Sequence, residues 1–312
     1  MQPKLIIHGG AGSSLSDKGG LILVREALHR IVGVVYSKLE AGLAAKDAVK
    51  LGAELLEDEP RFNAGTGSVL QSDGQIRMSA SLMDATKQSF SGVINVSRVK
   101  NPIQLATRLQ TESDRVLSDF GAAELVRELQ LPIHNPLTDK RLKEWLGDRD
   151  NNFQRSMANV VAEDAGRGTI GVVALDQNGN LAAATSTGGK GFERIGRVSD
   201  SAMPAGNYAA QEAAVSCTGI GEDIIDECLA ARIVVRVTDG MSLAQAVEKS
   251  FAEAKTRNRD FGAIAISQTG HIAWGKTCDV LLSAYHNGQA IGDTLEWGVN
   301  DWVAFDTSVE AK

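Results

Sequence analysis

Cysteine, proline and aromatic residues are scarce in this chain of 312 residues: Cys 3, Pro 6 and aromatics at 5%. The cysteines (Cys217, Cys228, Cys278) form no Cys-x-x-Cys pair, so they supply neither a disulfide framework nor a zinc ligand set. No run of ~18 apolar residues occurs, which excludes a bilayer-spanning helix. The four tryptophans (Trp145, Trp274, Trp297, Trp302) are too dispersed to stack nucleic-acid bases. An excess of basic charge is missing as well. Lys+Arg 32 against Asp+Glu 39 gives −7, mixed along the chain, which argues against nucleic acid or an anionic membrane as partner. Met1-Gln2-Pro3-Lys4 with the short apolar run Leu5-Ile6-Ile7 is too brief for a signal peptide, and a reducing cytoplasm is the expected compartment.

Several catalytic signatures are also absent. The five histidines (His8, His29, His134, His271, His286) make no His-Glu-x-x-His pair, so catalytic zinc is not expected. There is no Gly-x-Ser-x-Gly elbow. His8-Gly9-Gly10-Ala11-Gly12 follows a strand as a nucleotide loop would, but it lacks the Gly-Lys-Ser/Thr ending and the dinucleotide spacing. His8 reads as a structural hydrogen-bonder, and Cys217 as packing. What the chain does have is glycine, 32 residues against a usual share of ~7%. With few prolines and no collagen period, that excess points to close backbone approaches.

Hydrophobic spacing predicts a strand at Lys4–Ile7 and helices over Leu23–Leu39 and Ala44–Leu56. Strands are expected at Ser68–Leu70, Ile76–Leu82 and Gly92–Val96, with a hairpin turn at Asp73-Gly74 between the first two. Asn101-Pro102 opens a helix near Ile103–Leu109, and another follows near Ala122–Leu129. Residues 132–167 read as a solvated, mobile stretch resembling a linker, with a short helix around Leu142–Trp145. Thr169–Asp176 and Leu181–Thr187 then read as a hairpin about Asn178-Gly179. Helices at Asp223–Val237 and Leu243–Ala254, and a hairpin of Ile264–Ser267 with His271–Trp274, complete a layered α/β pattern that does not divide into two domains.

The chemistry gathers where the linker-like stretch ends. A chain cut between Gly168 and Thr169 would give Thr169 a hydroxyl and a free α-amine, and the amine can serve as base for its own hydroxyl. An α-amine titrates near ~7.7–8.0, so much of it is unprotonated close to neutrality. Gly168, lacking a Cβ, can adopt the strained conformation of an N→O acyl shift. A hairpin turning at Asn178-Gly179 brings Thr187 and Gly188 opposite the start of this strand, and Gly188-Gly189 leaves room for a ligand. Arg197 and Asp200 put a cation and an anion three residues apart. Ser216-Cys217-Thr218-Gly219-Ile220-Gly221 reads as a small-residue loop before a helix, suited to presenting N–H groups to an oxyanion.

Gly168–Asp176 with Gly179–Gly189 resembles the signature of the plant-type asparaginases, or isoaspartyl peptidases, a family of N-terminal-nucleophile hydrolases. His8–Gly12, Phe62-Asn63-Ala64-Gly65-Thr66-Gly67, Gly196-Arg197-Val198 with Asp200-Ser201, and Ser216–Gly219 resemble further family motifs in the same order. The resemblance covers residues 4 to about 235 and implies an α+β fold, a four-layer αββα sandwich of two antiparallel sheets between helical layers. It implies one domain over 1–312, autoproteolytically processed into 1–168 and 169–312 and paired as an (αβ)2 heterotetramer. The implied activity is hydrolysis of β-aspartyl dipeptides and L-asparagine through a Thr169 acyl-enzyme. Thr187 would support the nucleophile, Asn63 would orient it or the new terminus, and Thr218 and Gly219 would form the oxyanion hole. Arg197 would hold the substrate α-carboxylate, a match for a guanidinium fork, and Asp200 the α-ammonium, with Gly221 beside them. The loop from Leu56 to Thr66 would wrap a structural sodium ion with carbonyls of Leu56, Glu57, Glu59, Phe62, Ala64 and Thr66; no catalytic cofactor is implied.

This chain departs from the family pattern at Ser79 and Ser81 in Met78-Ser79-Ala80-Ser81, a segment where aspartate is usual, at Asp84-Ala85, at Ser199, in the shortened Ser201–Gly206 segment and after Trp274. Two alternatives stand beside this reading. A glycosylasparaginase is the sister enzyme, but it places His-Asp before its threonine where this chain has Arg167-Gly168. An unprocessed relic that binds aspartyl-like amino acids through Arg197 and Asp200 is the non-enzymatic alternative.

Overall fold

In a computed structural model of the chain, residues 1–12, 18–150, 168–298 and 301–306 are described. The elements before residue 168 are β1 (Lys4–Gly12), α1 (Leu21–Glu40), α2 (Ala45–Glu57), β2 (Met78–Asp84), β3 (Ser89–Val96), α3 (Pro102–Leu109), β4 (Val116–Ser118), α4 (Asp119–Glu128) and α5 (Asp139–Asp150). After it come β5 (Ile170–Leu175), β6 (Leu181–Thr187), a 3-10 turn at Asp200–Ala202, β7 (Asn207–Ala209) and β8 (Ala213–Gly219). Then follow α6 (Gly221–Glu227), α7 (Leu229–Thr238), α8 (Leu243–Thr256), β9 (Phe261–Ser267), β10 (Ile272–Lys276), β11 (Val280–His286), β12 (Ile291–Asp293) and β13 (Val303–Phe305).

Among the described residues the strands form an eight-stranded sheet, β12-β11-β1-β5-β6-β2-β3-β4, and a five-stranded sheet, β13-β10-β9-β8-β7. Pairing is antiparallel except at one edge, where β3 and β4 run parallel. Alternation along the strands sets the layers. Leu5, Ile7, Val172 and Ala174 face Leu28, Ile31, Val49 and Ala53 of α1 and α2. Their neighbours Ile6, Val173 and Leu175 face Ala214, Ile264, Ile266 and Ile272 of the second sheet. On the far side of that sheet, Val215, Ala263 and Ala265 pack on Ile233, Val234, Val247 and Phe251. Strands buried on both faces read as continuous apolar runs, which is why Lys4–Ile7 and Thr169–Asp176 stand out in the sequence. The order of layers is helix, sheet, sheet, helix.

Strand β5 lies between β1 and β6, and β6 pairs with β2. Chain from both sides of residue 168 therefore shares one sheet. Several segments differ from expectation. Ser68–Leu70 is not a strand, because its backbone is held by Asn63 and Gly65: Val69 N–H donates to Asn63 Oδ1 at 2.9 Å and Ser68 N–H to Gly65 O at 3.3 Å. Asp73-Gly74 is accordingly a turn outside any hairpin. The helix expected over Asp223–Val237 is split at Cys228, whose φ of 47° is left-handed. The amides of Ala230 and Ala231 at the start of α7 are satisfied by the carbonyls of Ala205 and Pro204. Of the solvated 132–167 stretch, residues 139–150 form α5, longer than the short helix expected around Leu142–Trp145, and 151–167 lie outside the described residues.

Candidate active site

The β5–β6 hairpin carries the centre of the site. Ile170 pairs with Ser186 and Leu175 with Leu181, a register that sets Thr169 beside Thr187. Thr169 Oγ1 donates to Thr187 Oγ1 at 3.1 Å, and Thr187 Oγ1 also accepts the Gly189 N–H at 3.1 Å. Both threonines are buried. On the other side of the expected cut, the Gly168 carbonyl accepts the Asn63 N–H at 2.9 Å. Asn63 also accepts the Gly188 N–H on its carbonyl at 2.8 Å and donates Nδ2 to Gly189 O at 2.6 Å. It thus grips the residue before Thr169 and the turn after Thr187.

Gly188 acts differently from expectation. A Cβ on Gly188 would stand 2.4 Å from Asn63 Oδ1, so its missing side chain admits Asn63 and does not open a ligand space. At Gly168 a Cβ would lie 2.8 Å from Asn63 N. Close approach of Asn63 is one reason that glycine stands there.

Thr218 and Gly219 close strand β8, whose residues 216–219 are paired sheet with β9 and not the loop the sequence suggests. Small residues hid the strand. Thr218 is buried, and its Oγ1 has no hydrogen-bond partner among the described residues. Gly219 has φ 136° and touches Phe261 backbone.

Arg197, Asp200 and Gly221 converge. A Cβ on Gly221 would lie 2.6 Å from Arg197 Nη2 and 2.8 Å from Asp200 Oδ1. Arg197 donates Nε and Nη2 to Glu222 at 2.9 and 3.1 Å, a fork the sequence reading missed, with Lys190 Nζ 3.2 Å from the same carboxylate. Burial works to raise the Glu222 pKa, yet the two Arg197 bonds and charge hold it at about 2. Glu222 shows in the sequence only as an acid in the first turn of a helix. Glu193 is a second unforeseen carboxyl, nearly fully buried, its Oε2 unpartnered among the described residues and its pKa raised by burial against the Arg197 charge. The departure at Ser81 supports the Asp200 turn: Ser81 Oγ donates to Ser201 O at 2.5 Å and accepts Asn207 Nδ2 at 2.8 Å. The Ser199 hydroxyl is buried without a partner among the described residues, and nothing in the structure explains that substitution.

Asp200 is a buried carboxyl beside Arg197. It is 4% exposed, Oδ2 lacks a partner among the described residues, and burial lifts its pKa to about 7 against the opposing pull of Arg197. A carboxyl raised in the folded state binds its proton more tightly there than in the unfolded chain. Its ionisation therefore destabilises the fold as pH rises from about 4 to about 7. Asp200→Asn is expected to exceed the parent in stability by a few kcal/mol at pH 8, with the gap closing below pH 5. Thermal midpoints across that range check it; a gap independent of pH would contradict it.

The loop after α2 holds Leu56, Glu57, Glu59, Phe62, Ala64 and Thr66. Gly65, at φ 54°, lies so close that a Cβ would be 2.4 Å from Glu57 O, and one on Gly67 would be 2.5 Å from Pro60 O and 2.9 Å from Phe62 O. Main-chain carbonyls crowd these two glycines, and carbonyl oxygen is the kind of donor that a hard cation takes. Among the described residues no cluster of three or more His, Cys, Asp or Glu could hold a metal, so any cation in the loop would depend on these carbonyls. The Glu57 side chain is itself buried, accepts Ser186 Oγ at 2.7 Å and Ile103 N–H at 3.1 Å, and is raised by burial to about 8.

Known proteins are similar to this chain over nearly its whole length. The family model described as asparaginase matches residues 1–296. An isoaspartyl peptidase/L-asparaginase of Nostoc sp. is 67% identical over 310 residues, 97% of this chain and 98% of that protein. The human isoaspartyl peptidase/L-asparaginase is 36% identical over 280 residues, covering 86% and 88%. A plant-type L-asparaginase of Pyrococcus horikoshii is 34% identical over 294 residues, covering 90% and 95%.

Proposed function

The chain belongs to the asparaginase family, and on that premise we propose that it is an autocleaving threonine amidohydrolase acting on L-asparagine and β-aspartyl dipeptides. The observation that carries this is the Thr169 hydroxyl, 3.1 Å from Thr187 Oγ1 and directly after a Gly168 carbonyl polarised by the Asn63 N–H. Maturation begins when Thr169 Oγ attacks the Gly168 carbonyl carbon; the C–N bond breaks, which frees the Thr169 amine and leaves an ester on Oγ, and water then hydrolyses that ester to give the Gly168 carboxylate and the free Thr169 hydroxyl. In turnover that amine takes the hydroxyl proton while Oγ bonds to the side-chain amide carbon of the substrate. Thr218 Oγ1, with no other partner among the described residues, and the Gly219 N–H receive the oxyanion. The C–N bond breaks, ammonia or an amino acid leaves with the proton, and water releases aspartate from the ester. Arg197 binds the α-carboxylate and ionised Asp200 the α-ammonium.

The processed fragments 1–168 and 169–312 form one αββα domain, and two such protomers make an (αβ)2 assembly. A sodium ion in the Leu56–Thr66 loop would be held by the carbonyls of Leu56, Glu57, Glu59, Phe62, Ala64 and Thr66 and would brace the segment that carries Asn63. Replacing sodium by a bulky organic cation is expected to lower the thermal midpoint by several degrees; an unchanged midpoint would leave the loop without an ion. No described helix is long and apolar enough to cross a membrane, and with free cysteines the compartment proposed is the cytoplasm. Release assays with asparagine, a β-aspartyl dipeptide and a glycosylated asparagine test the activity. Turnover of the first two is expected, and turnover of the glycosylated substrate alone would move the chain to the sister enzyme.

A further inference from the structure

His8, on β1, is fully buried, with Nδ1 3.0 Å from the carbonyl oxygen of Thr169 and Nε2 3.0 Å from Ser216 Oγ on the other sheet. Ser216 Oγ in turn lies 2.6 Å from Thr185 Oγ1. Donor and acceptor chemistry fixes the direction of this chain. A carbonyl only accepts, so Nδ1 carries the proton; Nε2 is then a lone pair that Ser216 donates to, and Thr185 donates to Ser216. Burial holds the ring pKa down to about 3, although the Thr169 carbonyl works the other way, so the ring is neutral at any working pH. Space for it is made by Gly171, where a Cβ would be 2.2 Å from His8 Nε2 and 2.0 Å from Ser216 Oγ.

Thr169 lies one residue before β5 begins. In the intact chain it is held on three sides: by Asn63 through Gly168, by its hydroxyl on Thr187, and by His8 on its carbonyl. Cutting the Gly168–Thr169 bond removes the first of these and leaves a chain terminus. We propose that His8 is a positioning residue for this nucleophile: its Nδ1–H anchors the main chain of the new amino terminus, so that hydroxyl and amine stay aimed at the substrate. The inference rests on Thr169 being the nucleophile.

Two substitutions separate the two faces of the ring. His8→Asn sets an amide N–H where Nδ1–H stands and loses Ser216; His8→Gln reaches the Nε2 position and loses the Thr169 carbonyl. With kinetics normalised to the processed amino terminus, His8→Asn is expected to keep kcat within about tenfold of the parent. His8→Gln is expected to lose about 100-fold in kcat with little change in KM, the effect of a misaimed reacting group. Equal losses in both, or losses that follow their thermal midpoints, would overturn the proposal. Should His8→Gln fail to mature, nitrogen NMR of the parent decides: the Nδ1–H tautomer is required, and the Nε2–H tautomer would overturn it. Thr169→Ala in the same assay tells the two readings apart, because activity there removes the nucleophile itself.

Discussion

Thr169→Ala is expected to remain a single chain of 312 residues under denaturing conditions and to lose at least about 10^4-fold in turnover of asparagine and β-aspartyl dipeptides. Both losses come from one atom. Without Oγ1 nothing attacks the Gly168 carbonyl that Asn63 polarises, and nothing forms the acyl-enzyme. The rest of the site stays in place, because the hairpin is held by its own ladder from Ile170 to Leu175. Binding of aspartate should therefore survive, and calorimetry with aspartate distinguishes lost chemistry from lost fold. Turnover within tenfold of the parent would remove Thr169 from the mechanism.

Arg197→Gln is expected to lower kcat/KM for asparagine by about 30-fold to 1,000-fold, the range for breaking a buried hydrogen-bonded charge pair at about 2–4 kcal/mol. Most of it should enter through KM, because the α-carboxylate is bound alike in ground and transition states. Arg197 already spends Nε and Nη2 on Glu222, and its side chain is only 12% exposed. A lysine offers one compact charge where this site uses a planar fork, so Arg197→Lys should recover little. Steady-state kinetics check it. An unchanged KM would place the α-carboxylate elsewhere.

Legibility in the sequence followed the range of the interaction. The β5–β6 hairpin was plain because Asn178-Gly179 and two apolar runs encode it locally, and Thr169 and Thr187 follow from that register. Strand β8 was hidden because Ser216-Cys217-Thr218-Gly219 is small and polar, and it pairs at Gly219 with Phe261, far along the chain. The His8–Ser216 bond spans 208 positions and leaves no local trace. Glu222 and Glu193 were passed over because a charge in sequence is ordinarily a solvated one; only the fold buries Glu193 and forks Glu222 to Arg197. Ser68–Leu70 misled in the other direction, its strand-like residues being bonded to Asn63 and Gly65.

The most direct measurement is intact mass with amino-terminal sequencing of the purified, incubated protein, taken beside its asparaginase rate. Activity should rise in step with a new terminus reading Thr169-Ile170-Gly171, with masses for residues 1–168 and 169–312. Full activity in a chain that stays whole, or a terminus at any other residue, would contradict the account.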